Sequence, residues 1–285
     1  MLRGTSILIS TTAALIIVKA ANANDPYGDD YLPDYYKTQT SSSLLCDSLR
    51  SEDYMVRKLS AIRLGQIGDR SSLSALKEAY DNEPLMNIED GGFSTKYQCL
   101  ISIGKIGGSG ADSILTAIAR KMLAPEIARE NKQFFGDSLD LFFGTFYGLV
   151  EIGNPESDSI FMNVFNSNLD VNLREIAYKA HLKLTLKRSS LSTVQDSLYY
   201  LLNGLKDAMS EANYPEEDPD SGVKIKARAL RYLIFNYSKK DPSILDYYKS
   251  QLEPGDPFVE ELHKIFEQVE SQLRLERQLK ARKAE

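Results

Sequence analysis

The sequence has no tryptophan, only two cysteines and two histidines, and ten prolines in 285 residues. So few cysteines exclude a disulfide-rich scaffold. His181 and His263 lie far apart, and neither has a second ligand three or four residues away, so no metal-binding pattern is present. There is also no G-x-S-x-G motif, and the glycines near residue 107 follow a helical pattern without a G-K-[ST] motif. We therefore predict no catalytic, cofactor-binding or metal-binding residues and a protein that is not an enzyme.

The chain also lacks an excess of positive charge. The formal net charge is −6, whereas broad binding to nucleic acid or to an anionic membrane requires a basic face. Few segments alternate between polar and apolar residues with a period of two, so we predict no β-sheet. The sequence pattern therefore predicts an all-α protein, and the net charge predicts that it does not bind nucleic acid.

The N-terminus carries the pattern of a secretory signal peptide over residues 1–23. A basic start at Arg3 precedes an apolar run of about 12 residues, which is shorter than the roughly 20 needed to span a bilayer. An A-x-A site follows and ends at Ala23. We predict cleavage there and export to the periplasm or the extracellular space, without membrane insertion after cleavage; an uncleaved anchor is the alternative. Cleavage removes Arg3 and Lys19 and leaves the mature chain at −8.

Residues 24–40 form an acidic segment that is rich in tyrosine and interrupted by proline. Such a composition buries little apolar surface, so we predict a flexible lead-in. A strip that binds a partner through its tyrosines is the alternative.

The most informative segment is a helical hairpin over residues 56–80. The apolar residues of the first helix recur at the spacing of an amphipathic helix and are predicted to face the interior: Val56, Leu59, Ile62 (or Ala61), Leu64 and Ile67. Lys58 and Arg63 are expected on the outer side. Gly68 then suits the left-handed position just past a helix end, and Asp69 or Ser71 can cap the next helix. Leu73, Leu76 and Tyr80 line that second helix.

Weaker copies of this hairpin follow along the chain. The glycine after an isoleucine recurs 39 residues on, at Gly107, and 46 further, at Gly153. Two more helix pairs, from Leu173 and from Ile225, lack the glycine. A period near 40 residues with two helices per unit is typical of a helical solenoid.

These motifs resemble the HEAT-like repeat family, in the short form of bacterial proteins and phycobilisome-lyase repeats. The match is close over residues 56–80, where valine-arginine opens the helix and leucine-glycine-x-isoleucine-glycine-aspartate closes it. The resemblance implies an α-solenoid with a scaffold role, in which Arg57 and Asp69 are structural and link neighbouring repeats. The units around 93–107 and 137–153 lack the arginine. The family also includes a few enzymes that act on bilin attachment.

The predicted organisation is therefore an α-solenoid of about five helical hairpins over residues 41–255, followed by a C-terminal capping helix over 256–285. That last helix carries one apolar stripe and a basic end. Its stripe consists of Phe258, Leu262, Ile265, Phe266, Val269 and Leu273. Cys46 and Cys99 lie in apolar helical contexts a full repeat apart, so buried free thiols are favoured over a disulfide.

We predict an exported, non-enzymatic scaffold that presents one face of a helical solenoid to a partner protein. The stacked second helices carry the candidate protein-binding residues, the tyrosine pairs Tyr199, Tyr200, Tyr247 and Tyr248. The same tyrosines are alternatively half-buried packing residues. A lyase-like enzyme and an envelope protein anchored by an uncleaved N-terminus are the other functional alternatives.

Overall fold

A computed structural model of the chain describes residues 32–83, 95–124, 137–189, 191, 193–210, 218, 220–240 and 257–284. The predicted signal peptide, residues 24–31 of the lead-in, and Tyr247 and Tyr248 lie outside these ranges. Within them the chain forms twelve α-helices and no strand, which confirms the all-α prediction. The helices are α1 Asp34–Thr38, α2 Ser42–Ser48, α3 Tyr54–Ile67, α4 Leu73–Asn82, α5 Thr95–Ile106, α6 Gly108–Met122, α7 Asp137–Ile152, α8 Ser157–Phe165, α9 Val171–Arg188, α10 Val194–Ser210, α11 Gly222–Lys240 and α12 Pro257–Ala284.

The chain divides into two units, residues 1–160 and 161–285, and the boundary falls inside α8. In the first unit α3 packs on α5, and α5 packs on α7. The short helices α1 and α2 pack on α3, while α4 contacts α5 and α6 contacts α7. In the second unit α9 and α10 both pack on α11, which also contacts α12. None of the helices in the described ranges is long and apolar enough to cross a membrane.

Three glycines end helices in the first unit, as the sequence predicts. Gly68, Gly107 and Gly153 have φ values of 74°, 68° and 77°, in the region that favours glycine. Each donates its backbone N–H to the carbonyl four residues earlier, at 3.1 Å in all three turns. The recurring glycine therefore ends a helix with a positive φ at each of these positions. Gly68 has the left-handed helical conformation, with ψ at 17°, whereas ψ at Gly107 is −169°.

Polar side chains in two of these turns reach the helix that precedes the hairpin. Asp69 accepts from the Ser71 backbone N–H at 2.9 Å and also from the Ser42 hydroxyl in α2. Asn154 donates its side-chain amide to Asp112 of α6 at 2.7 Å. Asp69 therefore joins its turn to α2, and Asn154 joins the turn after α7 to α6.

Arg57 has a structural role inside one hairpin. Its guanidinium forms a bidentate pair with Glu83, at 2.6 and 2.7 Å, and donates to the carbonyl of Ser51 at 2.7 Å. The hydrogen bonds to Glu83 raise the arginine pKa. Because the Glu83 side chain is only 2% exposed, this pair fixes the end of α4 against the start of α3.

The outward orientation predicted for Lys58 and Arg63 of α3 needs correction. Lys58 does not lie on the outer side of α3 but is half-buried, and desolvation lowers its pKa. Arg63 is also half-buried and donates to the carbonyl of Gln39 at 2.8 Å.

The lead-in is not free of structure over residues 32–39, since α1 packs on α3 and Leu32 and Tyr36 are buried. Two large apolar groups suffice here because they meet an existing helix face.

The second unit has one leucine-rich core shared by α9, α10, α11 and α12. The predicted stripe of α12 is confirmed where its side chains are described: Leu262, Ile265, Phe266 and Val269 are buried, and Leu273 is partly buried. The core is rich in leucine and alanine, which pack closely and favour helix. This core positions the outward face of α10, where the candidate site lies.

Candidate binding groove on the second unit

A capping box fixes the start of α10. The Asp196 backbone N–H donates to the Thr193 hydroxyl oxygen at 3.0 Å, and the Asp196 carboxylate accepts from the Thr193 N–H and hydroxyl at 3.2 and 2.8 Å. This reciprocal arrangement satisfies amide donors that the first turn of a helix leaves free. The helix therefore begins at a defined residue, which sets the direction of every side chain after it.

The two faces of α10 differ sharply. Its inner face is buried in the core by leucines at three- and four-residue steps: Leu198, Leu201, Leu202 and Leu205. The outer face carries polar and aromatic groups with the same periodicity: Gln195, Asp196, Tyr199, Tyr200, Asn203, Lys206 and Asp207. Because the inner leucines are held, the outer row cannot rotate into the core.

The outer face of α10 borders a groove of about 540 Å³. Tyr178 and Leu182 of α9 form one wall, together with Leu191 from the connection to α10, and Leu230 of α11 closes the floor. Gly204 permits this closeness, since a Cβ at that position would lie 3.3 Å from Leu230 Cδ2. The groove is within the size range of sites that hold a ligand or a peptide side chain.

The ring of Tyr178 is held by its neighbours. Its centroid lies 4.7 Å from that of Phe165 and 5.5 Å from that of His181. By contrast, Tyr199 and Tyr200 are 57% and 40% exposed, among the most exposed large side chains of the described residues. The groove thus combines one fixed ring with two rings open to solvent.

The charges that line this groove have one sign. Asp196 and Asp207 are among its residues, and none of the described residues that line it is a lysine, arginine or histidine. Its remaining polar groups are the amides of Gln195 and Asn203 and the tyrosine hydroxyls. Such a surface attracts cations and hydrogen-bond donors.

The structure brings together two of the four predicted binding residues. Tyr199 and Tyr200 both line the groove, and both are exposed. Tyr247 and Tyr248 lie outside the described residues. Sequence reasoning missed Tyr178, Asn203, Asp207 and Leu230. The helical period from Tyr199 predicts Asn203, but nothing local predicts that Leu230 closes the floor.

Two other hollows carry charges of both signs. In the first unit, a hollow of about 420 Å³ contains Arg50 and Glu78, which pair at 3.2 Å, and the Arg57–Glu83 pair. In the second unit, a wide depression between α11 and α12 contains Arg231, Lys264 and Glu267. Neither presents a field of one sign as the α10 groove does.

The two cysteine thiols are free. Burial raises the pKa of the Cys99 thiol to about 12, and burial also raises the pKa of Cys46. A thiol with a raised pKa is protonated near neutral pH and is a poor nucleophile. Within the described ranges, no three histidine, cysteine or acidic side chains gather in a way that could hold a metal ion.

Comparison of the sequence with models of known protein families gave no match, and comparison with curated proteins also gave none.

Proposed function

We propose that this protein is an exported, non-enzymatic scaffold, built from HEAT-like helical hairpins, that binds a partner protein on the outer face of α10. The observation that carries the proposal is the groove at Tyr199 and Tyr200. Exposed tyrosines offer large contact area at low entropic cost, and they are enriched where proteins bind one another.

The repeat arrangement is part of the proposal and has its own support. Three hairpins have a glycine with positive φ at the end of their first helix, and these first helices, α3, α5 and α7, pack in sequence order. The turn side chains Asp69 and Asn154 each reach a preceding helix. In a stack of such units, the outer helices form an extended surface suited to a protein partner.

Site-specific crosslinking tests the binding role. A photo-reactive amino acid placed at Asn203 in the native cell should crosslink to a partner protein, because that position lies between the two tyrosines and Asp207 on the outer face. The matched control carries the same group at Asp47, which is exposed on α2 of the first unit. The Tyr199→Ala/Tyr200→Ala double variant should lose the crosslink.

The crosslinking results distinguish a partner-binding face on α10 from its absence. Crosslinks from position 203 that disappear in the double variant support a partner-binding face on α10. If position 203 gives no crosslinked protein, or only the products also seen from position 47, the proposed binding face is wrong.

A further inference from the structure

The α10 groove presents two carboxylates at opposite ends of a row that contains an exposed tyrosine. Asp196, Tyr200, Asn203 and Asp207 follow one another at three- and four-residue steps and so lie along one side of the helix. Tyr199 stands beside this row and lines the same groove. We propose that the groove binds an extended segment of the partner protein that carries two arginine side chains. This inference rests on the proposed function and specifies the chemistry of the partner.

Charge complementarity selects a cationic occupant. Asp196 and Asp207 line the groove, and its lining contains no basic residue within the part of the chain that the structure describes. Lys206 is adjacent to Asp207 in sequence but is not part of that lining. The other two hollows already contain basic residues, so they lack this preference.

The tyrosines favour arginine over lysine. A planar guanidinium can stack on an aromatic ring and still donate hydrogen bonds to a carboxylate at its edge. Tyr199 and Tyr200 are exposed enough to be stacked upon, at 57% and 40%. The amides of Gln195 and Asn203 lie on the same face and can bond a peptide backbone.

The distance between the carboxylates selects a peptide over a small cation. Asp196 and Asp207 are eleven residues apart on one helix, so their backbones are separated by about 16 Å at 1.5 Å per residue. An extended chain advances about 3.3 Å per residue, and residues an even number apart point to the same side. Two arginines four residues apart therefore reach both carboxylates, since their long side chains cover the remaining few ångströms.

A synthetic peptide tests this directly on the full mature chain. The probe is a fluorescein-labelled nine-residue glycine–serine peptide with arginine at positions 3 and 7, and binding is measured by fluorescence anisotropy. Matched peptides carry lysine or the uncharged citrulline at the same positions. The arginine peptide should bind more tightly than the lysine peptide, and the citrulline peptide should bind at least about tenfold more weakly. Added salt should weaken binding through screening.

Protein variants locate the site. Asp207→Asn and Tyr199→Ala should each weaken arginine-peptide binding by roughly three- to tenfold. Asp196→Asn keeps a capping side chain and should have a similar effect. Asp47→Asn and Tyr35→Ala are the controls for charge and for an exposed tyrosine, because Asp47 is exposed and Tyr35 is 65% exposed in the first unit. Both should bind like the unmodified protein.

Several results would overturn the inference. Equal binding of the arginine and citrulline peptides would show that the positive charge of the peptide does not contribute to binding. Competition by spermidine as effective as that of the peptide would make a small polycation the occupant. Concentration-dependent self-association that is lost when residues 279–285 are removed would make the basic end of a second copy the occupant.

The inference and the proposed function fail in different ways. If position 203 crosslinks to a partner but the arginine peptide does not bind, the scaffold role stands and this partner chemistry is wrong. If the peptide binds with the expected variant pattern but no protein is crosslinked, the groove chemistry stands and the scaffold role is wrong.

Discussion

At the scale of single residues, two glycines allow α5 and α7 to approach closely. A Cβ at Gly104 would lie 2.4 Å from the Gly148 Cα and 2.5 Å from its carbonyl oxygen. These are backbone atoms, so no side-chain rotation can relieve the clash. The contact between the two helices therefore depends on the absence of a side chain at position 104.

We expect Gly104→Ala to lower the free energy of unfolding by about 1–3 kcal/mol or more, because α5 and α7 must separate. Gly110→Ala is the matched control. It lies in the first turn of α6 with its Cβ position 3.4 Å from Leu73 Cδ1, an ordinary contact. There the alanine should be neutral or stabilise by up to about 1 kcal/mol through its higher helix propensity. Urea denaturation of both variants measures the difference, and equal stabilities would contradict the close approach.

A second residue-scale feature is the ion pair that joins α9 to α11. Glu175 accepts from Lys179 at 2.6 Å and from Arg228 at 2.8 Å, while Lys179 lies 4.1 Å from the centroid of the Tyr232 ring. Burial by itself raises the Glu175 pKa, but the hydrogen bonds and charges of Lys179 and Arg228 outweigh this, and the pKa is lowered.

A lowered carboxyl pKa makes the stability of the second unit depend on pH. The stabilisation is fully present above the unfolded pKa of about 4.3 and is lost as pH falls through the lower folded pKa. Glu175→Gln should therefore cost about 1–3 kcal/mol at pH 7 and less at pH 4, which lies below the unfolded pKa, where the stabilisation has begun to be lost. Glu260→Gln, at an exposed i,i+4 pair with Lys264, is the control and should change stability by less than about 1 kcal/mol. A cost for Glu175→Gln that is the same at both pH values would contradict this linkage.

At the scale of secondary-structure elements, α3 and α10 differ in how far their large side chains are exposed. Leu64 on α3 has no exposed surface, whereas Tyr199 on α10 is 57% exposed. Ile67, which the sequence also predicts to face the interior, is only half-buried at the last turn of α3. In α3, full burial therefore ends at Gly65, three residues before Gly68.

We expect Leu64→Ala to lower the free energy of unfolding by about 2–5 kcal/mol, because the site is fully buried and leaves a cavity. Tyr199→Ala and Tyr200→Ala should each change it by less than about 1 kcal/mol. Chemical denaturation of the three variants gives the comparison. Tyrosine variants that unfold as readily as Leu64→Ala would show that these rings pack the core, and the binding face on α10 would be withdrawn.

The elements were largely predictable because their signals are local. The period of apolar residues predicts the helices, and an isoleucine followed by glycine predicts the ends of α3, α5 and α7. The burial of Lys58 and Tyr36 was not predictable, since it depends on which distant helix packs above them. For the same reason the sequence predicts the exposed Tyr199 and Tyr200 but not the wall at Tyr178 or the floor at Leu230.

At the scale of the whole molecule, the proposed function depends on where the mature chain begins. The sequence pattern of residues 1–23 predicts a signal peptide that is removed after Ala23. Export would deliver the α10 groove to a compartment outside the cytoplasm, where only exported or envelope proteins are available as partners. An uncleaved start would instead hold the same groove at a membrane surface.

We expect protein isolated from its native cell to begin at Asn24, as measured by intact mass and N-terminal peptide mapping. The reason is that a signal peptidase requires small residues at the positions occupied by Ala21 and Ala23. Ala23→Leu should block removal and give a chain that still begins at Met1 and sediments with membranes. Asn22→Leu is the matched control, because the middle position of the A-x-A site accepts larger residues, and it should be processed normally. An unmodified protein that retains residues 1–23 would contradict cleavage and favour the anchored alternative.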